Sequence, residues 1–316
     1  MKSSTQSLVT AGSLLITLNI ISNSVQVQAA LNNKKTDNIE LMSKGDLINR
    51  GHDLYMRLET RIITKAKWQR LINELSHLLI YPFQSFINLA TEIIFVMHKE
   101  LLEIPIDLLS HKRRPLFLQL PVSFMINQPV GMGFVPLHKT SVLALSDKSA
   151  DPERACKMVS DSFANTFTYI DASKIGPAFM RKQTTVDILL LSAHGVIGKS
   201  NEDYIKLGKG SANANDFSNI RPRLAYFDSC RLGISRQFLN TFKEIGTSYF
   251  IAPILSNEAG NSSTKTMITF FEHLYKGKPP EVALFYTRKQ LWNTFLNDEY
   301  RYRVWRAYPF RLYRLN

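Results

Sequence analysis

The stretch Val186-Asp-Ile-Leu-Leu-Leu-Ser-Ala-His-Gly195 contains the clearest strand of the sequence, and Arg223-Leu-Ala-Tyr-Phe-Asp-Ser-Cys230 has the same design. In each, a short continuous apolar run, typical of a buried parallel strand, ends in small and polar residues. Other apolar runs alternate with helical segments of roughly 10 to 15 residues. The sequence therefore predicts an α/β fold with a mainly parallel central sheet and helices on both faces.

His194 and Cys230 directly follow these two strands. The carboxyl ends of parallel strands share one edge of a sheet, where such folds usually bind their ligands. Neighbouring strands would therefore bring the two side chains together. Taken singly, a histidine after a strand is usually a satisfied polar residue, and a cysteine is usually a small buried hydrophobe, as we expect for Cys156. The two together indicate a nucleophile and its base.

A cysteine peptidase needs a thiolate, a base that generates it and donors for the oxyanion. We assign Cys230 as the nucleophile and His194 as the base. The backbone amides of Gly195 and Cys230 are the predicted oxyanion donors, since Gly195 has no Cβ to obstruct its N–H. A helix is expected right after Cys230, and its dipole would favour the thiolate.

Two segments resemble the motifs of caspase-like peptidases. Leu189-Leu-Leu-Ser-Ala-His-Gly195 resembles their His-Gly motif, and Ala225-Tyr-Phe-Asp-Ser-Cys-Arg-Leu-Gly233 resembles their strand-Cys-x-x-Gly motif. The order of features is similar to that of the CHAT domain, a bacterial relative of caspases and separase. Phe270-Phe-Glu-His-Leu-Tyr-Lys-Gly277 and Glu281-Val-Ala-Leu284 resemble later helices of that domain. The resemblance implies a caspase-like fold and a cysteine-type endopeptidase.

Asp228 departs from the Ser-Ala-Cys that CHAT domains commonly carry at the nucleophile. An acid at this position is similar to that of caspase relatives that cleave after Arg or Lys, where it lines the S1 pocket. The resemblance therefore implies that Asp228 binds a basic P1 side chain by charge pairing. As alternatives, Asp228 caps the helix after Cys230 or orients the loop. A second departure is Ile254-Leu-Ser-Asn257, where many CHAT domains have a Trp.

Residues 1–29 have the pattern of a secretory signal peptide: Lys2, a mostly apolar stretch from Leu8 to Ile21, and small residues at Val27-Gln-Ala29. The alternative is an uncleaved leader. We expect a linker and helical N-terminal region over 30–90, then a caspase-like domain over 91–316. A periplasmic or secreted location follows from the signal peptide, and a cytoplasmic one from the alternative. No later apolar run is long enough for a membrane span.

The net charge of +13 could serve polyanion binding, but no helix-turn-helix, zinc-finger or RNP motif accompanies it, which argues against a nucleic-acid partner. Two cysteines and scattered histidines predict no metal and no cofactor. At the C-terminus, arginines alternate with aromatic residues from Tyr300 onward. This tail predicts either a polyanion-binding surface or, more simply, a final strand or helix that packs its rings.

The expected partner is a protein or peptide substrate, and a separate activator protein is compatible with the sequence. The main alternative to a peptidase is a catalytically silent binding or scaffold module with the same fold.

Overall fold

A computed structural model describes residues 12–32, 34–62, 65–127, 140–163, 166–198 and 202–316. The chain divides into two units, Met1–Gly133 and Phe134–Asn316. Each unit buries its own set of apolar side chains and contains neighbouring parallel strands.

The first unit is an α/β unit. Its elements are β1 (Ser13–Ile21), β2 (Ser24–Leu31), β3 (Lys34–Lys35), β4 (Ile39–Ser43), α1 (Lys44–Thr60), α2 (Lys65–Leu79), α3 (Gln84–Ile87), β5 (Glu92–Met97), β6 (Ser110–His111), β7 (Arg114–Pro115) and β8 (Val122–Ile126). Within this unit the strands lie in the order β8, β5, β1, β2, and both β3 and β4 pair with β2. β5 is parallel to β1 and β8, whereas β2 is antiparallel to β1. The sequence predicted a helical region here, but strands precede α1.

The segment that resembles the apolar core of a signal peptide is strand β1. Leu14, Ile16 and Leu18 alternate along it and are fully buried, as expected for a strand with one face on a core. β1 pairs along its length with β2 on one side and with β5 on the other. Cleavage after Ala29 would therefore remove all of β1 and most of β2. Residues 1–11, including the predicted positive start at Lys2, lie outside the described residues, and export stays a prediction.

The second unit carries both motifs. Its elements are β9 (Ser141–Ser146), α4 (Ala155–Phe163), β10 (Thr166–Asp171), α5 (Pro177–Arg181), β11 (Ile188–Ser192), β12 (Gly195–Val196), β13 (Tyr204–Leu207), β14 (Gly210–Asn213), β15 (Leu224–Asp228), α6 (Arg236–Glu244), β16 (Tyr249–Pro253), α7 (Ser262–Tyr275), α8 (Pro280–Thr294), α9 (Tyr300–Ala307) and β17 (Phe310–Arg314). Its strands run in the order β10, β9, β11, β15, β16, β17. All of these neighbours are parallel except β16 and β17.

Helices cover both faces of this sheet, as β15 shows. Successive side chains of a strand point to opposite faces. Tyr226 packs against Phe270 and Phe271 of α7, with ring centroids 5.6 and 5.5 Å away. The next residue, Phe227, packs against Phe242 of α6 at 5.3 Å. Helices α6 and α7 therefore lie on opposite faces, which confirms the predicted α/β arrangement.

The arginine- and aromatic-rich C-terminus ends in a buried strand of the sheet. β17 is buried throughout and pairs with β16. Arg314 forms an ion pair with Glu281 (3.1 Å), and the Tyr313 hydroxyl donates to the carbonyl of Gly233 (2.5 Å). This is the packing role that the sequence offered as its simpler reading.

Membrane-spanning character is not found where the structure can be described: across those ranges, no helix combines the length and the hydrophobicity needed to cross a bilayer.

Candidate active site

The two motifs meet at the carboxyl ends of β11 and β15. The strands are parallel neighbours with Ser192 opposite Asp228, so that His194 and Cys230 each lie two residues beyond a paired position. A Cβ built on Gly195 would lie 2.6 Å from the Cys230 carbonyl oxygen and 3.1 Å from its nitrogen. The backbones of Gly195 and Cys230 are therefore in direct contact. The structure thus brings the backbone segments that carry His194, Gly195 and Cys230 together at one edge of the sheet.

Neighbouring loops hold the end of β11 in place. The amide of Asp147, just past β9, donates to the carbonyl of Ser192 (2.8 Å). The amide of Lys206, in β13, donates to the carbonyl of His194 (2.8 Å). The backbone that carries the imidazole is thus tied to elements on two sides.

The two cysteines differ in access. Cys230 is partly exposed, whereas Cys156 is fully buried in α4, with its sulfur 3.8 Å from the carbonyl of Leu145. Burial raises the pKa of the Cys156 thiol, and the carboxylate of Asp151 raises it further. Because the thiolate is the reactive form, Cys156 is inert and Cys230 is the cysteine open to chemistry.

The α-helix expected directly after Cys230 begins several residues later in the chain. Arg231 has a left-handed backbone (φ 61°), a 3-10 turn follows over Leu232–Ile234, and α6 begins only at Arg236. Ser235 caps α6, since its hydroxyl accepts from the amide of Phe238 (3.2 Å). The helix dipole therefore does not act on the Cys230 sulfur as the sequence suggested, because that effect fades beyond the first turn.

Asp228 is buried, and only 6% of its surface is exposed. Among the described residues, three side chains donate to its carboxylate: Ser192 (3.0 Å), Ser263 (2.5 Å) and Asn257. Burial raises the pKa of this carboxyl from 3.8 to about 6, although the three donors counteract part of that rise. The alternative in which Asp228 caps the following helix is wrong, since Ser235 has that role.

Asn257 is a site residue that the sequence analysis did not assign. It lies four residues past the end of β16, and its Nδ2 donates to Asp228 and to the Ser263 hydroxyl. Its Oδ1 lies 3.4 Å from the Cys230 sulfur and accepts from the thiol. Asn257 thus links the buried carboxylate to the Cys230 thiol. The signal that could have found it is its place after the next parallel strand of the same sheet edge.

Ser149 is a second unassigned residue, located after β9 at the same edge. Its hydroxyl oxygen lies 2.9 Å from Nε2 of His194 and 2.7 Å from Oδ1 of Asp147. Each flank of the His194–Cys230 pair therefore carries a polar side chain from an adjacent strand end.

A large polar groove of about 560 Å³ lies between β13–β14 and α6. Asp203, Asn213, Asn240 and Glu244 are among its lining residues, and neither His194 nor Cys230 is. A large concavity is a usual first choice for an active site, but here the chemistry of the side chains points to the strand ends instead. In the described ranges, no group of three or more histidine, cysteine, aspartate or glutamate side chains is placed to hold a metal ion.

Sheet order, helices on both faces and motif-bearing strand ends together define a caspase-like α/β fold. The chain is similar in structure to separase, as seen in the separase–securin complex of Saccharomyces cerevisiae, with a TM-score of 0.58 and 10% sequence identity. The match covers 96% of this chain but only 30% of the separase chain. At this identity the likeness concerns the fold alone. No protein-family model matches the sequence, and no curated protein matches it either.

Proposed function

We propose that the protein is a cysteine endopeptidase in which Cys230 and His194 hydrolyse peptide bonds. The observation that carries this proposal is the contact between the Gly195 and Cys230 backbones at neighbouring strand ends, where Cys230 is partly exposed and His194 is exposed. A thiol, an imidazole and two candidate amide donors at one place are the groups that acyl transfer requires.

The reaction would proceed in two stages. His194 takes the proton of the Cys230 thiol, and the sulfur attacks the substrate carbonyl carbon to form a tetrahedral oxyanion. The amides of Gly195 and Cys230 stabilise that oxyanion. His194 then gives its proton to the leaving amine, and an acyl-enzyme remains on Cys230. Water, deprotonated by His194, hydrolyses this thioester and restores the free thiol.

A catalytically silent binding module is the second candidate, and one contact favours it. The Cys230 thiol donates to Oδ1 of Asn257. An acceptor at this place stabilises the protonated thiol rather than the thiolate nucleophile, and the carboxylate of Asp228 lies directly behind the same amide. In an active peptidase, substrate or an activator protein would have to release the thiol from Asn257.

Labelling with a peptidyl electrophile separates the two candidates. We expect covalent modification of Cys230, found by mass spectrometry of the digested protein, and none of the buried Cys156. His194→Ala should slow labelling by at least about a hundredfold, since general base catalysis typically contributes 10²–10⁴.

The matched control is His52→Ala. His52 is also exposed, and it pairs with Glu103 in the first unit, remote in sequence from the candidate site. It should label at the wild-type rate. If the His194→Ala variant and the wild type are labelled at the same rate, His194 is not the base for Cys230. The catalytically silent binding module would then be the remaining candidate.

We further propose that Asp228 selects Arg or Lys at P1. Support comes from its charge and from its position two residues before the nucleophile. The alternative, in which Asp228 orients the loop, has support from its burial and from its three side-chain donors.

Peptides that differ only at P1 test this choice. Asp228→Ala should reduce kcat/KM for P1-Arg peptides by about 10- to 100-fold relative to P1-Leu, the worth of a hydrogen bond to a charged group. Ser263→Ala is the matched control, because it removes one donor and keeps the charge. If both variants lower kcat/KM by the same factor for every P1 peptide, Asp228 orients the loop and does not select P1.

A further inference from the structure

We infer that Asp147 and Ser149 form a positioning relay that holds His194 in one tautomer, with the proton on Nε2 and the lone pair on Nδ1. This inference rests on the proposed role of His194 as the base. It adds two residues that neither of the two sequence motifs contains.

The loop after β9 presents Ser149 in a fixed geometry. Oδ1 of Asp147 accepts from both the amide (2.8 Å) and the hydroxyl (2.7 Å) of Ser149. The carbonyl of Asp147 accepts from the amides of Ala150 (3.0 Å) and Asp151 (2.8 Å), which closes the turn. The amide of Asp147 donates a hydrogen bond to the carbonyl of Ser192 at the end of β11. This bond connects the loop after β9 directly to the segment that carries His194.

The hydroxyl proton of Ser149 determines the tautomer. Ser149 has a single O–H, and its two polar neighbours are the Asp147 carboxylate at 2.7 Å and Nε2 of His194 at 2.9 Å. An ionised carboxylate accepts only, and it is a stronger acceptor than a neutral imidazole. The proton therefore goes to Asp147, and the oxygen of Ser149 offers a lone pair to His194. Nε2 must carry a hydrogen to complete that contact.

This assignment has a chemical consequence at Nδ1. With Nε2 protonated, Nδ1 has the free electron pair and is the nitrogen that can act as base. When the Cys230 S–H bond breaks, its electron pair stays on sulfur and a new N–H bond forms at Nδ1. The imidazolium keeps its Nε2–H on Ser149, and the negative charge of Asp147 behind the hydroxyl stabilises it.

The chain provides a matched control. Asp171-Ala-Ser173 repeats the same turn: Oδ1 of Asp171 accepts from the amide of Ser173 (3.0 Å) and from its hydroxyl (2.6 Å). These bonds lower the pKa of Asp171, as expected when donors stabilise a carboxylate. No histidine contact of Ser173 is recorded among the described residues. Ser173→Ala therefore removes an equivalent hydroxyl without touching the relay.

Nitrogen chemical shifts of the ¹⁵N-histidine-labelled full chain test the relay directly, with the His194 signals assigned from a His194→Gln variant. At a pH where the imidazole is neutral, we expect Nε2 to be protonated and Nδ1 unprotonated in the wild type. Ser149→Ala should give a mixture of tautomers. Ser149→Thr, which keeps a hydroxyl, and Ser173→Ala should both retain the wild-type signals.

A protonated Nδ1 in the wild type would overturn the inference, as would unchanged signals in Ser149→Ala. Labelling of Cys230 adds a second measurement, and Ser149→Ala should slow it about five- to tenfold, the loss of one hydrogen bond. If the tautomer changes as expected but Cys230 never reacts, the relay stands and the peptidase proposal fails. Should Ser149→Ala not fold, judged by its circular dichroism, Ser149→Cys and Ser149→Thr give the same contrast.

Discussion

Gly195→Ala is expected to lower peptide hydrolysis by at least about a hundredfold, the effect of removing one oxyanion donor. A Cβ at this position would lie 2.6 Å from the Cys230 carbonyl oxygen, 3.1 Å from the Cys230 nitrogen and 3.1 Å from the Ser229 carbonyl carbon. All three are backbone atoms, which cannot rotate aside as the end of a long side chain can. The segments must separate, and the two proposed donors then lose their common target.

The same substitution should lower the free energy of unfolding by about 1–3 kcal/mol, as overpacking of close-packed sites does. Hydrolysis rates per folded protein and denaturant unfolding measure the two effects separately. Gly45→Ala is the control: it lies in the first turn of α1, and the nearest atom to its added Cβ is the Ser43 hydroxyl at 4.0 Å. Because alanine favours helix, this variant should be as stable as the wild type or slightly more so. If Gly195→Ala hydrolysed peptides at the wild-type rate, Gly195 would not be an oxyanion donor.

The sequence identified the strands of the site because their chemistry is local. Four apolar residues in a row before Ser192 (Ile188 to Leu191) and four before Asp228 (Leu224 to Phe227) are typical of a strand buried on both faces. Parallel pairing of such strands then places whatever follows them at a common edge. That is why His194, Gly195 and Cys230 could be selected without any structure.

Asn257 and Ser149 could not be selected in this way. Polar residues follow most strands, where they usually form turns, so their presence carries little information. Their roles depend on which strands are neighbours and on where each loop turns back, and both are properties of tertiary structure. The sequence in fact marked the segment ending in Asn257 as a departure from the CHAT domains it resembles, without assigning the asparagine a partner.

The sequence pattern of the N-terminal segment fits two interpretations, a β-strand and the apolar core of a signal peptide. Leu14, Ile16 and Leu18 point into the core, while Thr17 and Asn19 are more exposed. Alternation with a period of two is the strand signal, and the same polar residues looked like interruptions of a signal peptide's apolar core. Val25, Val27 and Ala29 alternate in the same way in β2. The structure follows the strand pattern, because the hairpin buries these side chains beside β5.

Asp228→Asn is expected to raise the free energy of unfolding above pH 6 by up to about 3 kcal/mol, which is the worth of a pKa change from 3.8 to about 6. In the folded protein burial raises the pKa of Asp228, so the folded state holds its proton more tightly than the unfolded chain does. The contribution to stability is fully present below pH 3.8. It decreases as the pH rises to about 6 and stays lost at higher pH.

Asparagine avoids this loss and keeps the hydrogen bonds. Its Oδ1 can accept from Asn257 and Ser263, and its amide, in place of Oδ2, can donate to the Ser192 hydroxyl. Urea unfolding at pH 4 and pH 7.5 measures the difference. The wild type should lose stability between these pH values relative to Asp228→Asn. Asp216→Asn is the matched control at another buried aspartate, which pairs with Arg181 at 2.7 Å, and it should lose stability instead.

A carboxylate that destabilises the fold at neutral pH, beside the proposed nucleophile, is what selection for chemistry would retain. We therefore expect Asp228→Asn to combine higher stability with a weaker preference for basic P1 residues. Higher stability with unchanged P1 preference and unchanged Cys230 labelling would contradict that view, since the charge would then serve neither substrate binding nor the reactivity of the thiol. The absence of any stability gain at pH 7.5 would show that Asp228 is not held at a raised pKa.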